Sequence, residues 1–215
     1  MAVNSELARL LEHPAIWRGT SVARAEVLPS GFAALDERLP GGGWPRSGLI
    51  EILVSRLGVG ELTLLLPLLA ALTSGPQARS CVWVAPPFEP FAPALAAHGV
   101  ALERVLVVRV PAAQKRLRGG ALWAFEQALG SGACDLVMAW AKRPRGKEVR
   151  RLQLSAERGR TLGVLFRPSQ AAGESSHAAL RMTVEPSAYG VRVNLLKSKG
   201  GVRGCVEINL LPAGN

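Results

Sequence analysis

Five apolar runs of strand length, at 49–53, 81–85, 105–108, 135–140 and 162–166, alternate with helix-like runs near 61–73, 90–98, 118–130 and 146–158. Strands separated by helices cannot pair through tight turns. Each must return across a face of the sheet, which builds a mostly parallel sheet with helices on both faces. Beyond Ala179 the rhythm changes: LRMTVEP, YGVRVNLL and VRGCVEINLL are short strands with turn residues such as Lys197 to Gly201 between them. This tail is expected to add C-terminal antiparallel hairpin strands to the same sheet, within an α/β fold. Ahead of the alternation, Ser5 to Leu11 fits a short helix with Leu7, Leu10 and Leu11 on one face, ended by Pro14. Residues 20–30 read as a linker, 31–39 as a helix and 40–48 as a turn. The chain thus divides into an N-terminal helical arm and linker, 1–27, and a core domain, 28–215.

The segment between the first apolar strand and the leucine-rich run after it is Val54, Ser55, Arg56, Leu57, Gly58, Val59, Gly60, Glu61, Leu62. Strand, glycine loop and helix in that order are the setting of a phosphate-binding loop. Such a loop needs glycines to wrap phosphates, a lysine for the terminal phosphates and a hydroxyl residue for magnesium. Gly58 and Gly60 meet the first need, but Glu61 and Leu62 stand in the last two places. A carboxylate facing a triphosphate repels it, and leucine cannot ligate a metal. The expectation is a degenerate loop whose glycines serve a tight turn, with no bound nucleotide, cofactor or metal.

Charge narrows the partners. The chain carries 26 Lys and Arg against 16 Asp and Glu, a net +10, which favours polyanionic or acidic partners. Lys142, Arg143, Arg145, Lys147, Arg150, Arg151, Arg158, Arg160 and Arg167 crowd one stretch, opposed only by Glu148 and Glu157. Val149, Leu152 and Ala156 recur at helical spacing, so that helix buries an apolar stripe and turns its arginines outward. A solvated face and a true contact, to DNA backbone or to an acidic protein, are both open readings. From Lys142 to Arg160 the stretch holds no aromatic side chain for stacking bases. Cys81, Cys134 and Cys205 lack metal-ligand spacing and read as small buried strand residues. His13, His98 and His177 are scattered. No run has the length of a membrane span, and the first residues lack the pattern of an export signal, so a cytoplasmic location is expected.

The stretch LPSGFAALDERLPGGGWPRSGLIEIL resembles the approach to the Walker A loop of RecA-type recombinases, through Gly31, Leu35, Asp36, glycines 41 to 43, Pro45, Gly48, Glu51 and Ile52. With GVGELTLLLPLLA, RRLQLSAERG and LGVLFRP added, the chain resembles the ImuA family, RecA-like accessory proteins of bacterial translesion DNA synthesis. The resemblance implies a RecA-like P-loop core whose chemical positions have been replaced. Trp140 would stand at the Walker B carboxylate, where an indole reads as a plug for the vacated nucleotide cavity. Pro87 would stand at the water-activating glutamate, with Glu89 the nearest substitute, and Arg167 at the sensor of the terminal phosphate. It further implies a DNA-damage-inducible, non-catalytic adaptor that binds the RecA recombinase and an ImuB-type Y-family polymerase homologue. Leu7, Leu10 and Leu11, together with Lys142, Arg143, Arg145, Lys147, Arg150 and Arg151, are the candidate partner or DNA contacts.

Three other functions fit parts of the sequence. A division inhibitor resembling SulA would share the RecA-like ancestry and block FtsZ polymerisation. A recombinase-like ATPase with a noncanonical loop would hydrolyse ATP on DNA and depend on Glu89. A plain DNA-binding module would show salt-sensitive binding through Lys142, Arg143 and Arg145.

Overall fold

The computed structural model describes residues 26–110, 120–198 and 203–210. Leu7, Leu10 and Leu11, and most of the expected arm, lie outside the described residues. The elements in chain order are β1 (Val27–Leu28), α1 (Ala33–Asp36), β2 (Trp44–Pro45), β3 (Gly48–Val54), α2 (Leu66–Thr73), β4 (Ser80–Val84), α3 (Ala92–Ala97) and β5 (Val105–Val108). There follow α4 (Ala121–Gly130), β6 (Cys134–Trp140), α5 (Gly146–Gly159), β7 (Leu162–Pro168), β8 (Leu180–Ser187), β9 (Gly190–Ser198) and β10 (Gly204–Asn209).

Eight strands form one sheet in the order β10-β9-β8-β3-β7-β6-β4-β5. From β8 to β5 all neighbours are parallel, and only the β8-β9 and β9-β10 pairs are antiparallel. The mixed α/β sheet with an antiparallel C-terminal edge is as the patterning predicted. β3 lies between β7 and β8 and all seven of its residues are buried, which is why its sequence is an apolar run and not an alternation. Its even positions, Ile50, Ile52 and Val54, share one core cluster with Leu65, Leu68 and Leu69 around α2. Leu49 faces the other side with Phe125, Leu129, Val149 and Leu152 of α4 and α5. Full burial of one such side chain is worth about 1.5–3 kcal/mol, so each face has its own cohesion.

α5 shows how sequence sets the packing. Val149, Leu152 and Ala156 are buried while its arginines face out, as the spacing required. The Arg145 N–H donates to Glu148 Oε2 at 2.6 Å, satisfying a backbone donor at the helix start. The last turn passes so close to α4 that a Cβ on Gly159 would collide with the Leu129 carbonyl. Only glycine permits that approach.

Several local expectations are corrected. Residues 27–28, read as linker, form β1, which pairs with β2 inside the stretch read as a turn, Leu28 opposite Trp44. The helix expected over 31–39 shrinks to the four residues of α1, because the Asp36 carboxylate accepts the Ser30 N–H and folds the segment back as a compact turn. The helix expected to begin at Glu61 begins only at Leu66, after turns and a 3-10 segment at Thr63–Leu65. Pro67 lacks an N–H and suits a first turn, so it marks a helix start where the leucine pattern suggested an interior. Cys81 and Cys134 are buried on strands, but Cys205 is exposed, since it sits on the outer edge strand β10. Part of the expected 197–201 turn lies outside the described residues.

Candidate functional site

The chain leaves β4 for β5 in one direction across the sheet and leaves the adjacent β6 for β7 in the other. Connections that diverge in this way open a crevice at the carboxyl ends of the strands. The 55–60 loop, the Ala85–Pro90 segment after β4 and Trp140 at the end of β6 line it. Gly58, Gly60, Glu61, Leu62, Pro87, Glu89 and Trp140 all border one cleft of about 370 Å³, so the positions picked from sequence do converge. A second cleft of about 410 Å³ lies between Ser55, Pro87, Trp140, Lys142 and Arg167.

Glu61 decides what the loop can do. Its side chain turns back into the loop, where the Gly58 N–H donates to Oε1 and the Val59 N–H to Oε2, both at 2.9 Å. The residue is 3% exposed. Convergent backbone N–H groups are what such a loop offers to phosphate oxygens, and here a carboxylate of the same chain accepts them. The sequence reading that Glu61 points at a ligand site and repels it is therefore corrected: the carboxylate is the loop's internal anion. Gly60 adopts a φ of +105°, and a Cβ there would lie 2.7 Å from side-chain atoms of both Val191 and Leu210. The loop is thus seated against the C-terminal strands. Because no regular helix follows until Leu66, the aligned N-terminal N–H groups that reinforce anion binding are also missing from the loop exit.

Trp140 stacks on Phe166 with ring centroids 4.9 Å apart and tilts against Trp83 at 6.0 Å. It forms the wall between the two clefts and leaves both open, so the expected plug is corrected to a partition. Glu89 sits on the rim, exposed and ion-paired to Arg109.

Arg167 is engaged elsewhere. It is buried on β7 and donates from Nη1 to Glu51 Oε1 at 2.9 Å and from Nη2 to Glu174 Oε2 at 2.6 Å. Arg181 Nε lies 2.6 Å from Glu51 Oε2 but off the hydrogen-bond line, a contact held by charge more than by a directed bond. Arg181 also donates to the Glu174 and Ala171 carbonyls. Burial acts against the Arg167 cation, yet its bonds to Glu174 and Glu51 keep it above the usual arginine value. Through these bonds Arg167 and Arg181 hold the 169–174 segment over the sheet.

At the opposite ends of the strands, buried Asp135 accepts from Arg46 at 2.9 Å and from the Arg79 side chain at 2.9 and 3.0 Å, with the Arg79 N–H at 2.8 Å. Burial pushes its carboxyl up, but these bonds outweigh it and hold it below the ordinary aspartate value. Sequence reading missed both charged clusters. The signal was present: Glu51 interrupts an apolar strand, and a charge buried there requires a partner. Burial, with the Asp135 charge beside it, pushes the Cys81 thiol up to about 12, so it is no nucleophile. Among the described residues no three His, Cys, Asp or Glu side chains converge as a metal site.

The basic residues divide. Lys142 borders the second cleft, while Arg143 and Arg145 are exposed on the loop into α5. Lys147, Arg150 and Arg151 lie on the outer face of α5. Among the described residues no helix is long and apolar enough to cross a membrane.

No protein-family model matches the chain. It is 37% identical over 147 residues to the cell division inhibitor SulA of Edwardsiella piscicida, covering 64% of this chain and 81% of that protein. To the protein ImuA of Caulobacter vibrioides it is 28% identical over 203 residues, covering 83% of this chain and 81% of that protein. The crystal structure of SulA from Pseudomonas aeruginosa aligns with 55% of this chain and 97% of its own, at 25% identity and a TM-score of 0.44.

Proposed function

The chain belongs to the SulA-like family and is more distantly similar to ImuA, and from that premise we propose that it is a non-catalytic adaptor of the bacterial DNA-damage response. It acts by docking on other proteins. In the fuller form of this reading it supports translesion synthesis by binding the RecA recombinase and an ImuB-type polymerase homologue, in the cytoplasm at the nucleoid. The observation that carries the non-catalytic part is the seating of the Glu61 carboxylate on the Gly58 and Val59 N–H groups. A RecA-like scaffold whose phosphate donors are already bonded has no nucleotide switch, and its shape is what it offers to partners. The translesion form is supported by the extent of similarity: the ImuA of C. vibrioides corresponds to 83% of the chain, the SulA of E. piscicida to 64%.

The test is co-purification from DNA-damaged cells, with ATP titrated calorimetrically into the same preparation. The reading expects RecA and the polymerase homologue in the eluate and no heat from ATP with magnesium. Saturable nucleotide binding with release of phosphate would overturn it.

A second reading, division inhibition, is favoured by the higher identity to SulA. FtsZ sedimentation separates the two: an inhibitor leaves FtsZ in the supernatant, and a translesion adaptor leaves its polymerisation unchanged.

A further inference from the structure

The outer surface of α4 and α5 combines charge with exposed apolar side chains. At 100° per residue, Lys147, Arg150, Arg151, Leu154 and Arg158 fall within one arc of about 100° on α5, with Leu154 at its middle. Leu154 is 54% exposed. Both helices precede parallel neighbouring strands on the same face of the sheet, so they run in the same direction. The contact of Gly159 with the Leu129 carbonyl fixes their relative height. Counting back from it, Leu154 on α5 stands within about one residue's rise, ~1.5 Å, of Trp123 on α4, which is 56% exposed. Arg151 donates to Glu126 at 2.7 Å and ties the two helices together at this level.

We propose that this face docks an acidic segment of a partner protein that presents apolar side chains between its carboxylates. The assignment rests on the adaptor reading and names the chemistry of one partner surface. Lys147, Arg150 and Arg158 offer cations to carboxylates, while Leu154 and Trp123 bury apolar area that a chain of charges alone would leave wet. A second copy of this protein does not fit, since it would set the same cations against each other. Nucleic acid fits less well: the phosphate backbone offers nothing to Leu154, and Glu126 and Glu157 lie beside the cations. Trp123 supplies an anchor of the kind that dominates protein interfaces.

The experiment is fluorescence anisotropy on the whole chain, with two labelled probes: an amphipathic peptide of Glu, Leu and Phe at helical spacing, and an oligothymidylate. Wild-type protein is expected to bind the peptide, and Lys147→Glu with Arg150→Glu to weaken it at least about tenfold. Trp123→Ala with Leu154→Ala should weaken the peptide about tenfold while changing the salt dependence little. Lys147→Arg with Arg150→Lys should retain binding. All these positions are exposed, and an unchanged melting temperature certifies the fold of each variant. Failure of wild type to bind the peptide, or equal binding by the charge-reversed variant, overturns the proposal. So does oligothymidylate binding that the peptide cannot displace and that falls steeply with salt, which would assign the face to nucleic acid. The same variants in the co-purification distinguish the levels. If RecA and the polymerase homologue are retained equally by wild type and the reversed variant, this face is wrong and the adaptor reading stands; if wild type retains neither, the adaptor reading falls.

Discussion

The crevice at the end of β3 and the outer face of α4 and α5 use charge in opposite ways. At the crevice the buried charged groups have their partners within the chain: Glu61 bonds to the loop and Arg167 to Glu51 and Glu174, while Arg181 bonds to two carbonyls and meets Glu51 by charge. On the helical face, Lys147 and Arg150 stand in solvent beside exposed Leu154 and Trp123. A buried polar group left unbonded is costly, so the first region has its chemistry fixed by the fold. An exposed cation keeps its hydration and can exchange it for a partner. The contrast separates residues that hold the structure from residues free to recognise something.

The sharpest way to break this contrast is Glu51→Gln, which leaves Arg167 and Arg181 buried without their shared carboxylate. A loss of about 3–5 kcal/mol is expected in urea unfolding. Asp135→Asn should cost about 2–3 kcal/mol, less because Arg46 and Arg79 are partly solvated. Since the Asp135 carboxyl is held below its ordinary value, its contribution is complete above about pH 4 and disappears as the pH falls through the lowered value. Wild type should therefore lose stability on acidification below that point by more than the asparagine variant does, as read from urea midpoints against pH. Glu61→Ala removes the acceptor of two loop N–H groups and should cost about 1–2 kcal/mol, with no gain of ATP binding, because Leu62 still offers no magnesium ligand. The smallest effect belongs to Lys147→Glu with Arg150→Glu, within about 0.5 kcal/mol of wild type. A loss there comparable to that of Glu51→Gln would erase the distinction between the two regions.

The parts of the fold legible in the sequence were those with a strong period. β5 was read at its observed bounds and β3, β4, β6 and β7 to within two residues, because apolar runs of strand length have few other uses in an alternating chain. The outward arginines of α5 followed from a clear helical stripe. The start of α2 was misread because periodicity does not register where a side chain bonds to the backbone. Glu61 looks like any polar residue opening a helix until the Gly58 and Val59 N–H groups are seen to converge on it. The ion pairs of Glu51 and Asp135 join residues far apart in sequence, 116 positions for Glu51 and Arg167, and no local pattern announces such pairs. Trp140 was placed at the right cleft but given the wrong task, since whether a ring fills a space or divides it depends on neighbours such as Phe166.

Glu61 also closes the one-step route to a working nucleotide loop. A lysine at that position would bring the missing cation and, in the same change, delete the acceptor that gives the loop its shape. The intermediate would be less stable before it was any better at holding phosphate. Conversion by design or by descent therefore requires coordinated changes at Glu61, at Leu62 and in the Val191 and Leu210 backing behind Gly60.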